Sequence, residues 1–296
     1  MKRPTVIWFA LALSIILSFP TRQGLSASTG LLYISFINVG QGDSILLHDD
    51  SNFDILIDGG QPSAGPTVTA YLRQQHVDDI DVMVATHADE DHIGGLIDVL
   101  QMTDVPVRSV IYNGYAGTTA KWNEFMTAVQ QEGLAPSPLQ YPNTVKWGSV
   151  TGTVLNPEPG LVNPDQNDAS LVLLITHDRV KSLFAADITS TAETDIAARG
   201  MSLAAQVLKV AHHGSKYSTG TPFLSAVQPS DAIISVGTNS YGHPAPETLS
   251  RLEAAGARIW RTDRQGTIVM TDDGSHYTIT YTHYLYLPAI LRSLVP

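Results

Sequence analysis

The stretch from Ile80 to Gly95 constrains the fold more than any other. A mostly apolar run, Ile80 to Ala85, leads directly into Thr86-His87-Ala88-Asp89-Glu90-Asp91-His92-Ile93-Gly94-Gly95. Such a run reads as a buried strand, and the polar segment as a loop at the sheet edge, where functional groups tend to be placed. Four potential metal ligands (His87, Asp89, Asp91 and His92) fall within six residues, separated by the small Ala88 and an outward Glu90. They can converge on one point if the backbone turns tightly beneath them, and Gly94-Gly95 permits that turn and the start of a helix. Imidazole and carboxylate both suit zinc, and carboxylates also suit manganese. A solvated acidic loop would account for Asp89, Glu90 and Asp91, but not for the framing histidines or the glycines.

The remaining pattern alternates strands with helices. Strands are predicted at Leu31 to Val39, Ser44 to Leu47, Asp54 to Ile57, Ile80 to Ala85 and Val107 to Tyr112. Helices are predicted at Pro66 to Gln75, after His92 through Leu96, Val99 and Leu100, and at Thr119 to Gln131. Pro136 to Pro164 is rich in Pro, Gly and Asn and reads as loop, with one strand near Val150 to Leu155. Strands at Ser170 to Thr176, Lys181 to Ala185, Gln206 to Val210 and Ala232 to Val236 follow, with helices at Thr189 to Ala198, near Phe223, and at Pro246 to Ala255. Short strands at Arg258 to Trp260, Thr267 to Met270 and Tyr277 to Tyr281 complete the series. Strand-rich halves punctuated by helices predict a layered α/β fold with two sheets enclosed by helices. Hydrophobic residues make up 43% of the 296, enough for a sizeable core, and no fixed-period repeat is visible.

The ends differ from the body. Met1-Lys2-Arg3, the apolar Val6 to Phe19 and the small residues Ser26-Ala27-Ser28 have the layout of a secretory signal peptide covering residues 1–27. An uncleaved N-terminal anchor is the alternative, allowing transient membrane association. Either reading places the body, residues 31–282, outside the cytoplasm, extracellular or on the cell surface. Loss of Lys2, Arg3 and Arg22 with residues 1–27 leaves 14 of the 17 basic residues against 28 acidic ones. That balance excludes a protein that coats nucleic acid, but not a phosphate substrate whose charge is met by bound cations. Cysteine is absent, so metal ligation must use His and carboxylates, and no disulfide contributes to stability. The tail, residues 283–296, includes the apolar Tyr284 to Leu291, too short to span a bilayer, and is expected to pack on the core.

The loop resembles the metal-binding signature of the metallo-β-lactamase superfamily, His-x-His-x-Asp-His, with Asp89 in place of the second His. This form, together with several other segments, resembles the extracellular hydrolase domain of the ComEC family of competence DNA-uptake proteins. Those segments are Phe36-Ile37-Asn38-Val39-Gly40-Gln41-Gly42-Asp43-Ser44, Leu56-Ile57-Asp58-Gly59-Gly60, Asn167-Asp168-Ala169-Ser170-Leu171-Val172, Val210-Ala211-His212-His213-Gly214-Ser215 and Tyr241-Gly242-His243-Pro244. They occur in the expected order across nearly the whole body. The resemblance implies a single-domain, four-layer αββα sandwich and two divalent metal ions, zinc or manganese.

On that resemblance Asp187 bridges the two ions, although at the end of the apolar Leu183 to Ala186 it could instead cap the following helix. One of His212 and His213 completes the first site, His213 being preferred from its spacing. His87, Asp89 and His213 would then hold one ion with Asp187, and Asp91, His92 and Asp187 the other. His243, set between Gly242 and Pro244, is a ligand of the second ion or a substrate contact. Asp43 and Asp58 are read as supports for the ligands, and Asn167, Ser170, Ser215, Lys216 and Asn239 as candidate substrate contacts. Lys216 is the one cation placed beside the metal segments by sequence, which suits an anionic substrate. His48, His76, His177, His276 and His283 stand alone and are read as surface or satisfied positions.

Two cations ~3.5–4 Å apart would activate a hydroxide and stabilise the attacking and leaving oxygens, with Asp91 orienting the water. No Gly-x-Ser-x-Gly elbow, cysteine nucleophile or phosphate-binding Gly-Lys loop competes with that chemistry. The resemblance implies an exported phosphodiesterase or nuclease, with DNA or a small phosphodiester as substrate. The sequence holds no transmembrane channel of the kind fused to that domain, so a DNA-uptake role is not expected to carry over. A lactone, β-lactam or phosphorylcholine ester is the alternative substrate on the same fold, and a non-catalytic metal- or wall-binding module the alternative class. Oligomeric state is not specified by the sequence.

Overall fold

The computed structural model describes residues 30–282. The expected signal or anchor segment, the apolar tail and His283 lie outside the described residues. The first half runs β1 (Leu32–Phe36), β2 (Ile45–Asp49), β3 (Asp54–Ile57), α1 (Gly65–Gln74), β4 (Val82–Ala85), α2 (Glu90–Ile93), α3 (Leu96–Leu100), β5 (Val110–Tyr112), α4 (Ala120–Gln131) and β6 (Ser137–Pro138). The second half runs β7 (Thr144–Trp147), β8 (Val150–Asn156), β9 (Val172–His177), β10 (Val180–Phe184), α5 (Ser190–Ala198), β11 (Val207–Lys209), α6 (Thr221–Val227), β12 (Asp231–Ile234), α7 (Pro246–Ala254) and β13 (Arg258–Arg261). A single turn, α8 (Thr262–Gln265), then leads to β14 (Ile268–Asp272) and β15 (Tyr277–Tyr281), which return to the first sheet. The sheets have orders β15-β14-β1-β2-β3-β4-β5-β6 and β13-β12-β11-β10-β9-β8-β7.

Each sheet is antiparallel where a short turn joins its strands, as from β2 to β3, and parallel where a helix crosses over, as from β3 to β4 and from β11 to β12. The period of two in strand side chains sorts the core into layers. Ile45 and Leu47, Ile55 and Ile57, Val82 and Val84 face Leu173, Ile175 and Phe184 between the sheets. Leu46, Leu56, Met83 and Ala85 point the other way, onto α1, α3 and α4. In the second sheet Val172, Leu174, Leu183 and Leu208 likewise turn outward, onto α5, α6 and α7. The order of layers is therefore helix, sheet, sheet, helix, the αββα sandwich that the resemblance implies.

The helices follow from local signals. Thr119 caps α4, its side chain accepting from the Trp122 amide at 3.1 Å, and Trp122, Phe125 and Val129 fall on the buried face. Besides the short β6 and α8, which the sequence pattern does not predict, two elements differ from expectation. The helix expected after His92 begins earlier, at Glu90, so Asp91 and His92 sit inside its first turn. The Pro136 to Pro164 loop contains a hairpin, because Thr144–Trp147 pairs with Val150–Asn156. Only Val145 and Trp147 of that first strand face inward, too short an alternation to stand out between prolines and asparagines.

Phe36 and Phe184 meet edge-to-face across the two sheets, with ring centroids 6.0 Å apart, and both are buried. Phe36→Ala is expected to lower unfolding free energy by about 3–5 kcal/mol in denaturant titration. A loss below ~1 kcal/mol, well short of what a buried aromatic ring contributes, would show that this contact does not join the sheets.

Candidate metal centre

The candidate ligands sit where loops from both sheets meet. From the first sheet come the β1–β2 loop with Asp43, the end of β3 with Asp58, and the β4–α2 loop with His87, Asp89, Asp91 and His92. From the second come Asp187 after β10, His212 and His213 after β11, and His243 before α7. Close backbone contact packs the first three loops together. A Cβ on Gly42, which has φ +123°, would lie 2.2 Å from the Asp91 carbonyl oxygen, and one on Gly95 would lie 2.0 Å from that of Gly59.

Asp58 organises the first-sheet side. Its carboxylate accepts from the Thr86 amide at 2.9 Å, the Thr86 hydroxyl at 2.7 Å and His92 Nδ1 at 2.7 Å. Because the Thr86 hydroxyl donates to Asp58, it is left to accept from His87 Nδ1 at 3.0 Å. On the other side His213 Nδ1 donates to the Ser235 carbonyl at 2.9 Å. With Nδ1–H engaged in all three rings, each ring directs its Nε2 to the centre, where it offers a lone pair to an ion once its proton is displaced.

Those Nε2 atoms, together with Asp187 Oδ1 and Asp43 Oδ1, are buried without a hydrogen-bond partner. Orphaned buried polar atoms cost about 1–3 kcal/mol each, and a bound cation would remove that cost. The donor set, imidazole nitrogen and carboxylate oxygen, suits a divalent ion. Ligand atoms lie within 4.8 Å of one another in the groups His87–His92–Asp187, Asp91–His92–His213, Asp43–Asp58–His92 and Asp43–Asp187–His213. The residues present therefore fit the metal ions that the resemblance implies.

Backbone strain is concentrated here. Asp58, Ala186, His212 and His213 all have φ between +46° and +58°, a region that costs a non-glycine residue about 1–3 kcal/mol. The left-handed turn at His212-His213 brings both rings to the centre from one short segment.

The expected residues separate into several positions. His213 Nε2 lies 3.2 Å from Asp187 Oδ2 and 3.5 Å from Asp91 Oδ2, so it stands with Asp91 and His92 rather than with His87 and Asp89. Its ring is fixed by Ser235 on the far side of the centre, which spacing along the chain does not reveal. Asp89 is at the rim, its side chain 41% exposed and 3.6 Å from His87 Nε2. His212 Nε2 is 3.9 Å from Asp187 Oδ2, and the His243 ring packs edge-on against His212 with centroids 5.4 Å apart. Asp187 does not cap α5, because Thr189 does.

The candidate substrate contacts divide similarly. The Ser170 hydroxyl and Asn167 Oδ1 are buried without partners, and the Leu171 amide donates to the Thr86 carbonyl, holding that segment against the metal loop. Ser215 Oγ instead accepts from the Tyr217 amide at 3.3 Å. Asn239 closes the turn carrying His243, donating to the Gly237 and His243 carbonyls and accepting from the Tyr241 and His243 amides. Its polar atoms are used within the turn, so it positions His243. Lys216 is exposed and lies over the Tyr217 ring at 4.9 Å. The buried cation beside the carboxylates is Lys209, paired with Asp43 and 3.9 Å from Asp187 Oδ1. Its signal in sequence is a single charge inside the apolar Val207-Leu208-Lys209-Val210-Ala211. Three histidines read as solitary have carboxylate partners, His48 with Asp54 at 2.8 Å, His177 with Asp272 at 3.2 Å and His276 with Asp273 at 3.9 Å, and all lie away from the centre.

Electrostatics follow from this crowding. Burial would raise the Asp187 carboxyl, yet the His213 and His92 rings hold it well below the usual carboxylate range. Burial would likewise raise Asp91, but the His213 ring, 3.5 Å away, and the charge on His92 keep it ionised far below that range. Burial opposes charge on His213, but Asp187 and Asp91 outweigh it and carry its pKa up to about 9, and Asp187 and Asp58 raise His92 in the same way. Burial lowers His212, and it pushes His243 down to about 4 with His212 adding to the effect.

A family profile described as the Metallo-beta-lactamase superfamily matches residues 37–238. ComE operon protein 3 of Bacillus subtilis is 32% identical over 258 residues, covering 79% of this chain and 32% of that protein. Competence protein ComA of Neisseria gonorrhoeae is 27% identical over 279 residues, covering 88% of this chain and 37% of its own length. The chain thus spans about a third of the length of these curated relatives. Among solved structures, the metallo-beta-lactamase fold protein YhfI from Bacillus subtilis superposes with TM-score 0.55 at 12% identity, covering 82% of this chain and 100% of that one. Tm1679, a metal-dependent hydrolase of the beta-lactamase superfamily, superposes with TM-score 0.52 at 12% identity, covering 80% and 98%. At such identity these likenesses concern the fold alone.

Asp58→Asn, which keeps shape but unties Thr86 and His92, is expected to weaken metal binding by about 10–100-fold in calorimetric titration. The protons on the centre's histidines make a second expectation. A raised His213 pKa stabilises the metal-free fold fully below its ordinary value of 6.5, and that contribution is lost as pH rises through about 9. An ion must displace the same proton, so metal affinity should climb with pH over that window and binding should release protons. Proton release is measured by calorimetry in buffers of different ionisation enthalpy, and its absence would refute the assignment.

Proposed function

This chain belongs to the metallo-beta-lactamase superfamily, and we propose that within it the chain is an exported metal-dependent hydrolase of phosphodiester bonds. The observation that carries this reading is the set of three buried histidine Nε2 atoms and two carboxylates, without hydrogen-bond partners, converging from both sheets. His87 and Asp187 would hold one ion, with Asp89 at its rim, and Asp91, His92 and His213 with Asp187 the other. Zinc or manganese, when bound, would supply Lewis acidity towards a phosphoryl oxygen and lower the pKa of water.

The chain's own groups would do the rest. Asp91, ionised and partly open to solvent, can orient attacking water by accepting its hydrogen bond. His243 and His212 stay neutral near pH 7 and can hydrogen-bond a phosphoryl oxygen without adding charge. The Ser170 hydroxyl and Asn167 Oδ1 are unpartnered but buried, and so lie behind the metal loop rather than against substrate. Likeness to a protein named for competence favours DNA among the candidate phosphodiester substrates, beside a small phosphodiester, and the Lys2-Arg3 start with its apolar continuation supports export. Among the described residues, no helix is long and apolar enough to cross a membrane.

The test is a substrate panel with the manganese- or zinc-loaded protein: bis-p-nitrophenyl phosphate, single- and double-stranded DNA, a lactone and a β-lactam. Phosphodiester turnover is expected, with Asp91→Asn and Asp187→Asn each reducing it by more than about 100-fold. Cleavage of the lactone or β-lactam alone would overturn the substrate class, and no turnover by loaded protein would favour a non-catalytic module.

A further inference from the structure

Lys209 is 0% exposed, at the end of β11, and lysine is almost never fully buried without a compensating partner. Its ammonium pairs with Asp43, donates to the Ala186 carbonyl at 3.2 Å and lies 3.9 Å from Asp187 Oδ1. It therefore links the β1–β2 loop to the strained residue preceding Asp187, across the seam between the sheets. Burial keeps it from touching substrate. Of the four groups able to hold an ion, two use Asp43, the carboxylate that Lys209 already neutralises.

We propose that Lys209 is a resident cation of the centre: its ammonium fills the place an ion would take at Asp43 and confines bound ions to the side formed by His87, Asp91, His92, Asp187 and His213. This rests on the metal-centre reading, though not on the identity of the substrate. A fixed positive charge repels a divalent ion beside Asp43, while compensating part of the carboxylate charge gathered there. The two ions are then confined by a side chain rather than by an empty gap.

Manganese titration calorimetry, with metal counted per chain, separates this role from that of a strut. Asp43→Asn leaves Lys209 uncompensated near Asp187 and should weaken ion binding by about tenfold or more. Lys209→Met removes the resident charge and should tighten binding or add an ion. The double variant should return to the wild-type stoichiometry. A strut predicts that both single variants weaken binding and that the double is no better; that pattern would overturn the proposal. If Lys209→Met folds only when manganese is added, the ion has replaced the ammonium, as expected. If it folds under neither condition, recovery of binding in the double variant relative to Asp43→Asn supports the proposal, and lack of recovery refutes it. Wild-type protein that binds no metal would refute the metal-centre reading itself, whereas wild-type binding with both single variants weakened refutes only the role of Lys209.

Discussion

The Asp58 carboxylate is the interaction on which the centre depends. It joins the ends of β3 and β4 through Thr86 and fixes the His92 ring, and through the Thr86 hydroxyl it also sets the direction of the His87 proton. One acceptor thus determines the orientation of two ligands on a loop that would otherwise be free to turn. Its position, in a left-handed conformation directly after a buried strand, lets the carboxylate reach the neighbouring loop at the sheet edge.

Charge in the centre is balanced in layers. Carboxylates hold protons on His92 and His213 in the metal-free chain, the histidines keep Asp187 and Asp91 ionised, and Lys209 compensates Asp43. Buried charge on this scale is tolerated because each group has a partner of opposite sign, and the same groups can exchange a proton for an ion with little rearrangement. The fold contributes rigidity: two apolar layers of helix and one inter-sheet core hold the contributing loops from behind.

Much of this was legible in the sequence for a physical reason. Strands buried on both faces give apolar runs, and such runs ending in His, Asp and Gly mark where a sheet edge meets chemistry, as at Ala85-Thr86-His87 and Ala186-Asp187. The grouping of ligands was not legible, because His213 is oriented by Ser235 and by a left-handed turn that spacing does not encode. Lys209 was hidden by its neighbours, since one lysine in a strand reads as an edge or snorkelling residue until tertiary structure encloses it. Asn239 reads as a candidate substrate contact, yet its bonds all return to its own turn.

The division of the ligands between two sheets also governs when the centre can exist. Asp58, His87 and His92 come from the first half of the chain and Asp187 and His213 from the second, so no short segment carries a complete donor set. An unfolded chain without thiols offers ions little beyond the His87 to His92 segment, which lacks Asp187 and His213, and full affinity would appear only when the two halves dock. Metal capture would thereby be coupled to completion of the fold: an ion would act as a late clasp, and a chain whose halves had not met would be left unloaded.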